Sequence, residues 1–236
     1  LHTQFATPDY VPGVQGLAWR TDGFSSRAEI TTDRSLHHGF TLSFWVALES
    51  YPSDLEVPVN QLSPSSIVRQ GQTGAFDAWI DAYGRWGVKL RDVDGNEKNL
   101  QAVDKFPLQA WTLLTLTHDA ATGQFVVMLN QDTVLEADIG SAGLKMSSAP
   151  LILAWPEQTV EFLVFTFNGL NAAYDELLLG PPESSAATQA RYQQVVNGAA
   201  PIWDSLSVPD SRFKGDHLRP LFHAMPSANW TNEPHG

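Results

Sequence analysis

Phe76-Asp77-Ala78-Trp79-Ile80-Asp81-Ala82-Tyr83-Gly84-Arg85-Trp86-Gly87-Val88-Lys89-Leu90-Arg91 is the stretch that decides the fold. Two runs of alternating polarity flank Ala82-Tyr83-Gly84. A three-residue loop with Gly84 left-handed sets Asp81 opposite Arg85, Ile80 opposite Trp86 and Asp77 opposite Lys89. A slip of one residue would face Asp77 with Leu90 and Asp81 with Trp86, losing charge pairs and apolar contacts together. The register predicts a hairpin with a core face of Phe76, Ala78, Ile80, Trp86, Val88 and Leu90. The other face, solvated, carries Asp77, Trp79, Asp81, Arg85, Gly87, Lys89 and Arg91.

Outward from this hairpin the same alternation recurs between about residues 15 and 180. It is clear in Thr41-Leu42-Ser43-Phe44-Trp45-Val46, in the Trp111 to Thr117 run, in Phe125-Val126-Val127-Met128-Leu129 and in Phe162-Leu163-Val164-Phe165-Thr166-Phe167. Short strands punctuated by Gly, Pro, Asn and Asp predict an all-β, antiparallel two-sheet sandwich of the jelly-roll kind. Trp45 and Trp111, inside apolar strands, read as core. One short helix follows the last strand: Ser184 or Ser185 caps a stretch through Ala186, Ala190, Tyr192 and Val195, and Asn197-Gly198 ends it. It is expected to clip the sandwich. Residues 198–218 read as a linker with isolated Trp203 and Phe213, and an extended tail follows.

Composition removes several classes of function. With 26 acidic and 14 basic residues among 236, the formal charge of -12 repels phosphate backbones and anionic surfaces, so nucleic acid is not an expected partner. No run of about 18 apolar residues is present, so no membrane-spanning helix is expected. The absence of cysteine excludes disulfides and thiol catalysis. No Gly-x-Ser-x-Gly elbow supports a nucleophilic serine, and the seven histidines, the His37-His38 pair included, lack zinc-ligand spacing. A chain that begins at Leu1 rather than Met is expected to have lost a leader, placing it in a secreted, periplasmic or cell-surface setting.

Four stretches, in order, resemble the laminin-G/concanavalin A-like sandwich domains of extracellular carbohydrate-active proteins. They are Gly16 to Ser26 with its Asp22-Gly23 turn, Gly39 to Val46, Trp111 to Asn130 through Thr117-His118-Asp119, and Tyr174-Asp175-Glu176-Leu177-Leu178-Leu179. Together they cover about residues 13 to 196, within a domain assigned to 1–197. Such domains often place Asn-Gly where this chain has Asn130-Gln131, which implies a wider turn here. A second resemblance runs through Arg219-Pro220-Leu221-Phe222-His223 and Asn229-Trp230-Thr231-Asn232-Glu233-Pro234-His235-Gly236. These residues, 219–236, are similar to the opening of the five-bladed propeller of glycoside hydrolase family 32. The family's nucleophile is an aspartate in Asn-Trp-Met-Asn-Asp-Pro-Asn-Gly. The resemblance puts Glu233 in the nucleophile or base position of an intact parent enzyme, with Asn229, Trp230 and Asn232 beside it on the substrate. One carboxylate cannot supply both the acid and the nucleophile of glycoside hydrolysis, so the chain alone is expected to be inactive.

Two further sites are expected within the sandwich. Asp22 and Asp175 fall where the resemblance implies a structural calcium ion (Ca2+); the plainer reading is a turn residue and an ion-paired carboxylate. Trp79, with Asp77, Asp81, Lys89 and Arg91, offers an aromatic platform for a polysaccharide or oligosaccharide. Equally, Trp79 covers the strand glycine Gly87 or packs on an adjoining propeller domain. The expected function is a non-catalytic accessory module of a modular glycoside hydrolase, either binding glycan or buttressing the propeller. The alternative places the activity in the parent hydrolase through Glu233.

Overall fold

The computed structural model describes residues 9–198 apart from 22, 24–25, 32–35, 52–63, 72–73, 82, 141–142, 157–159, 163–164 and 168–169. In chain order the strands are β1 (Asp9–Pro12), β2 (Leu17–Arg20), β3 (Ala28–Ile30), β4 (Phe40–Leu48), β5 (Ser65–Gln70), β6 (Phe76–Ile80), β7 (Trp86–Arg91) and β8 (Glu97–Gln101). They continue with β9 (Thr112–Asp119), β10 (Gln124–Leu129), β11 (Asp132–Asp138), β12 (Leu151–Pro156), β13 (Val160–Phe162), β14 (Phe165–Phe167) and β15 (Ala172–Gly180), and the helix α1 spans Ser185–Gly198. Sheet A is ordered β1-β2-β15-β4-β9-β10-β11, sheet B is ordered β3-β12-β5-β6-β7-β8, and β13 pairs with β14. All the pairings between these strands are antiparallel.

The deciding hairpin forms as its sequence requires. Asp77 faces Lys89, Trp79 faces Gly87 and Ile80 faces Trp86. Gly84 has φ +79°, and the Asp81 amide donates to the Arg85 carbonyl to close the loop. Phe76, Ala78, Ile80, Trp86, Val88 and Leu90 are all buried in the main core, where Phe40, Phe44 and Tyr174 of sheet A meet them. Burial of each large side chain contributes on the order of 1.5–3 kcal/mol. The Tyr174 hydroxyl crosses between the sheets and donates to the Ile67 carbonyl at 3.1 Å.

β4 is buried on both faces, which a strand at the centre of one sheet of a two-layer sandwich would not be. The reason is α1. On the outer face of sheet A, Trp45, Ala47, Trp111, Leu113 and Ala173 form a second apolar cluster with Val11, Val14 and Ala18, and Tyr192, Val195 and Val196 of α1 pack against it. Trp45 and Trp111 are therefore buried as expected, but beneath the helix rather than between the sheets. Ser184 caps α1, its hydroxyl accepting the Ala187 amide at 3.3 Å.

The turn after β10 corrects an expectation. Leu129 pairs directly with Asp132, so Asn130-Gln131 is a tight two-residue loop rather than a widened one, with Asn130 at φ +57°. Gln131 has a task there that glycine lacks a side chain to perform: its Oε1 accepts the Gln193 Nε2 amide at 2.8 Å, while its carbonyl accepts that of Gln189 at 2.9 Å. The loop tip clamps the helix to the sheet.

Candidate functional site

The second face of the registered hairpin belongs to the outer surface of sheet B. Strand pairing builds a row across it, Glu29, Ile152, Arg69, Asp77, Lys89 and Asn99, with Trp155, Ser66, Trp79, Gly87 and Gln101 as the next row. Asp77, Trp79, Lys89 and Arg91 are thus brought onto one face. Trp79, however, is only 7% exposed, and its indole N–H donates to Asn99 Oδ1 at 2.9 Å, so the expectation of a solvated tryptophan is corrected. A Cβ on Gly87 would meet the Leu100 carbonyl oxygen at 2.0 Å. Glycine stands here because the β8 backbone comes so close.

Three of the polar groups expected around Trp79 are held in ion pairs with other residues. Asp77 pairs with Arg69 at 3.7 Å, Asp81 receives the Tyr83 and Arg85 amides and the Arg85 guanidinium, and Arg91 pairs with Glu97. That Arg91 hydrogen bond holds the Glu97 carboxyl below the usual range. Trp155 carries the Arg27 guanidinium 4.1 Å above its ring. The face is a mesh of ion pairs in which Trp155 carries a guanidinium and Trp79 is nearly enclosed.

Asp175 lies on sheet A, on the side facing the turn that joins β1 to β2. Its Oδ2 accepts the Gln15 amide and its Oδ1 the Glu176 amide, both at 2.9 Å. Each oxygen thus has one backbone donor and keeps a further lone pair, while a calcium ion takes six to eight oxygens in all. Among the described residues no group of three or more His, Cys, Asp or Glu side chains is placed to hold a metal ion. Asp22 lies outside the described residues. So do the linker and the propeller-like stretch with Asn229, Trp230, Asn232 and Glu233.

What Asp175 does is fasten a cleft. A cavity of about 640 Å³ opens between α1 and the outer face of sheet A. Ser43, Trp45 and Leu113 form its floor; Val14, Gln15 and Gly16 form one wall, Glu176, Leu177 and Leu178 a second, and Arg191, Gln194 and Val195 of α1 the third. Pairing of β15 with β4 shifts between Asp175 and Leu178, and inside this bulge Glu176 takes φ +48°. A non-glycine residue in that region costs of order 1–3 kcal/mol, and such outliers gather at functional sites. The two bonds of Asp175 hold the bulge and the 13–16 turn together. On the opposite wall Glu183 fixes the Arg191 guanidinium at 2.9 Å.

The sequence did not point to this cleft, because its lining comes from five segments spread between residues 14 and 195. One signal was present: Leu177-Leu178-Leu179 breaks the alternation of a half-buried strand.

Residues 22–171 match the family described as the concanavalin A-like lectin/glucanases superfamily. No curated protein matches the sequence. Among solved structures, the binding domain of paraclostridial mosquitocidal protein 1 is similar with a TM-score of 0.63 and 13% identity, over 80% of this chain and 46% of that one. The botulinum neurotoxin serotype D ligand-binding domain in complex with N-acetylneuraminic acid is similar with a TM-score of 0.57 and 12% identity, over 75% and 42%. A structure of botulinum neurotoxin type C, whose cell entry depends on interaction with two ganglioside molecules, gives 0.57 and 11% over 80% and 45%. The chain spans less than half the length of these structures, and at such identities the likeness is one of fold. Together with the two-sheet jelly-roll and the match over most of its strands, this places the chain in the concanavalin A-like lectin/glucanases superfamily.

Proposed function

We propose that this chain is a non-catalytic, glycan-binding accessory module of a larger glycoside hydrolase, and that the cleft between α1 and sheet A is its sugar site. The cleft carries the reading. At about 640 Å³ it lies within the range of about 300–1,000 Å³ typical of small-ligand sites. It combines an apolar floor, suited to the C–H face of a pyranose ring, with Gln15, Glu176, Arg191 and Gln194, which donate and accept hydrogen bonds as hydroxyl groups require. Membership of a lectin and glucanase superfamily supports a carbohydrate as the ligand class. The stretch from Arg219 to Gly236 supports a hydrolase propeller as the parent's catalytic part. The near-complete burial of Trp79 favours the cleft over the Trp79 surface.

The test is a titration of isotopically labelled protein with a panel of mono- and disaccharides, read by amide and side-chain NMR shifts. Shifts should concentrate at Gln15, Glu176, Arg191 and Gln194, and Arg191→Ala should weaken binding at least tenfold. Shifts confined to Trp79, Asn99 and Lys89, or no response to any sugar, would sink the assignment.

A further inference from the structure

Resting on that reading, we infer that the cleft recognises an uncharged sugar joined to an apolar group, such as an alkyl or aryl glycoside, rather than a bare glycan. The cleft is two-sided. Its hydrogen-bonding side chains, Gln15, Arg191, Gln194 and Glu176, are few enough for one hydroxylated ring to satisfy. Around its mouth the surface turns apolar. Leu177 and Leu178, both lining residues, are 36% and 38% exposed. A single exposed leucine is ordinary; two side by side at one opening form an apolar edge that a ligand can cover.

The backbone is spent on presenting them. An unbulged strand would send Leu177 and Leu178 to opposite faces, and the bulge at Glu176 instead leaves both exposed beside the cleft. Asp175 holds that arrangement by bonding the amides on either side of it, Gln15 and Glu176. Charge selects the sugar. Arg191 already has Glu183 as its counter-ion, Glu176 lines the cleft, and the chain carries -12, so an anionic ring meets net repulsion while a neutral one does not.

The experiment is calorimetry of the chain with matched methyl, phenyl and octyl β-glucosides and β-galactosides, the octyl compounds below their micellar concentration, with octyl glycerol as the control lacking a ring. For the sugar that binds, the phenyl or octyl form should bind at least tenfold more tightly than the methyl form. Whether phenyl or octyl gains more distinguishes an aromatic aglycone from a lipid chain. Leu177→Ser and Leu178→Ser, at exposed positions that should still fold, should bring the ratio towards one, with melting curves confirming the native state. Equal affinity for methyl, phenyl and octyl forms would overturn this inference and leave the glycan-binding reading standing. Octyl glycerol binding as tightly as the octyl glycosides would overturn both, as would a complete absence of binding.

Discussion

The Trp45 indole and the Tyr192 phenol ring lie stacked, with centroids 5.6 Å apart and planes inclined by 29°. One ring stands on the central strand of sheet A and the other on α1, so this pair is the principal apolar tie between helix and sandwich. Tyr192→Ala should cost about 2 kcal/mol, below the full cost of truncating a wholly buried ring because Tyr192 is only half-buried. Urea unfolding measures it. The same variant should weaken glycan binding, because Arg191 and Gln194 flank Tyr192 on the helix that carries them. Tyr192→Phe, which keeps the ring, should stay within about 0.5 kcal/mol of the native protein.

Arg20 and Glu49 form a buried, bidentate ion pair on the outer face of sheet A, at 2.6 and 2.8 Å, with Asp9 3.3 Å from the same guanidinium. Removing one partner leaves the other charge in a site with little water. Glu49→Gln should therefore destabilise by about 3 kcal/mol, with Asp9 offsetting part of the loss, whereas the apolar double variant Arg20→Met, Glu49→Leu should lose far less. A single variant no worse than the double would show that the site is wetter than its burial implies.

How far the sequence carried can be judged residue by residue. The 76–91 hairpin was legible to the last pairing because alternating charge and apolar character penalise every other register. Helix α1 was legible from its serine cap and Asn197-Gly198 end. The surroundings of Trp79 were not, because what lies over a strand depends on segments remote from its own hairpin. Nor was the cleft: Ser43 and Trp45 read simply as core strand, and only the helix lying across them makes a cavity. Asn130-Gln131 misled for a similar reason, since the glutamine answers to Gln189 and Gln193, about sixty residues later.

His118 should make stability depend on pH. It is 1% exposed, neither ring nitrogen has a hydrogen-bond partner, and its ring lies against Phe40, 6.1 Å between centroids. Burial pushes its pKa below the ordinary value, only partly countered by Asp119. The unfolded chain then binds the proton more readily than the folded one. Stability holds above about pH 6.5 and falls as pH drops below it. Urea midpoints taken between pH 7.5 and 5 should decline, and the decline should flatten in His118→Leu. An unchanged slope in that variant would assign the effect elsewhere. The carboxyl of Asp119, held low first by the Thr122 hydroxyl, acts only in a more acidic range.

Chelation tests the reading of Asp175. Since its carboxylate accepts two backbone amides, EDTA should leave the melting temperature unchanged, whereas an ion bound only by the folded state would stabilise it by mass action. By contrast, Asp175→Ala should release both the bulge and the 13–16 turn, lowering the melting temperature and loosening the cleft together.

The clamp of Gln131 on α1 has a consequence for the order of assembly. The inner core draws on residues from Trp19 to Leu179 and on none from the helix, so the two sheets can close before the last segment of the domain leaves the ribosome. Their closure is itself slow, because β2, near the start, must find β15, near the end. The cleft then arises only when α1 docks on a finished surface. A nascent or clipped chain ending near Gly180 would carry a folded sandwich with Trp45 and Trp111 bare to solvent, prone to self-association and unable to hold a sugar. Ligand binding would thus report that synthesis had run past the helix.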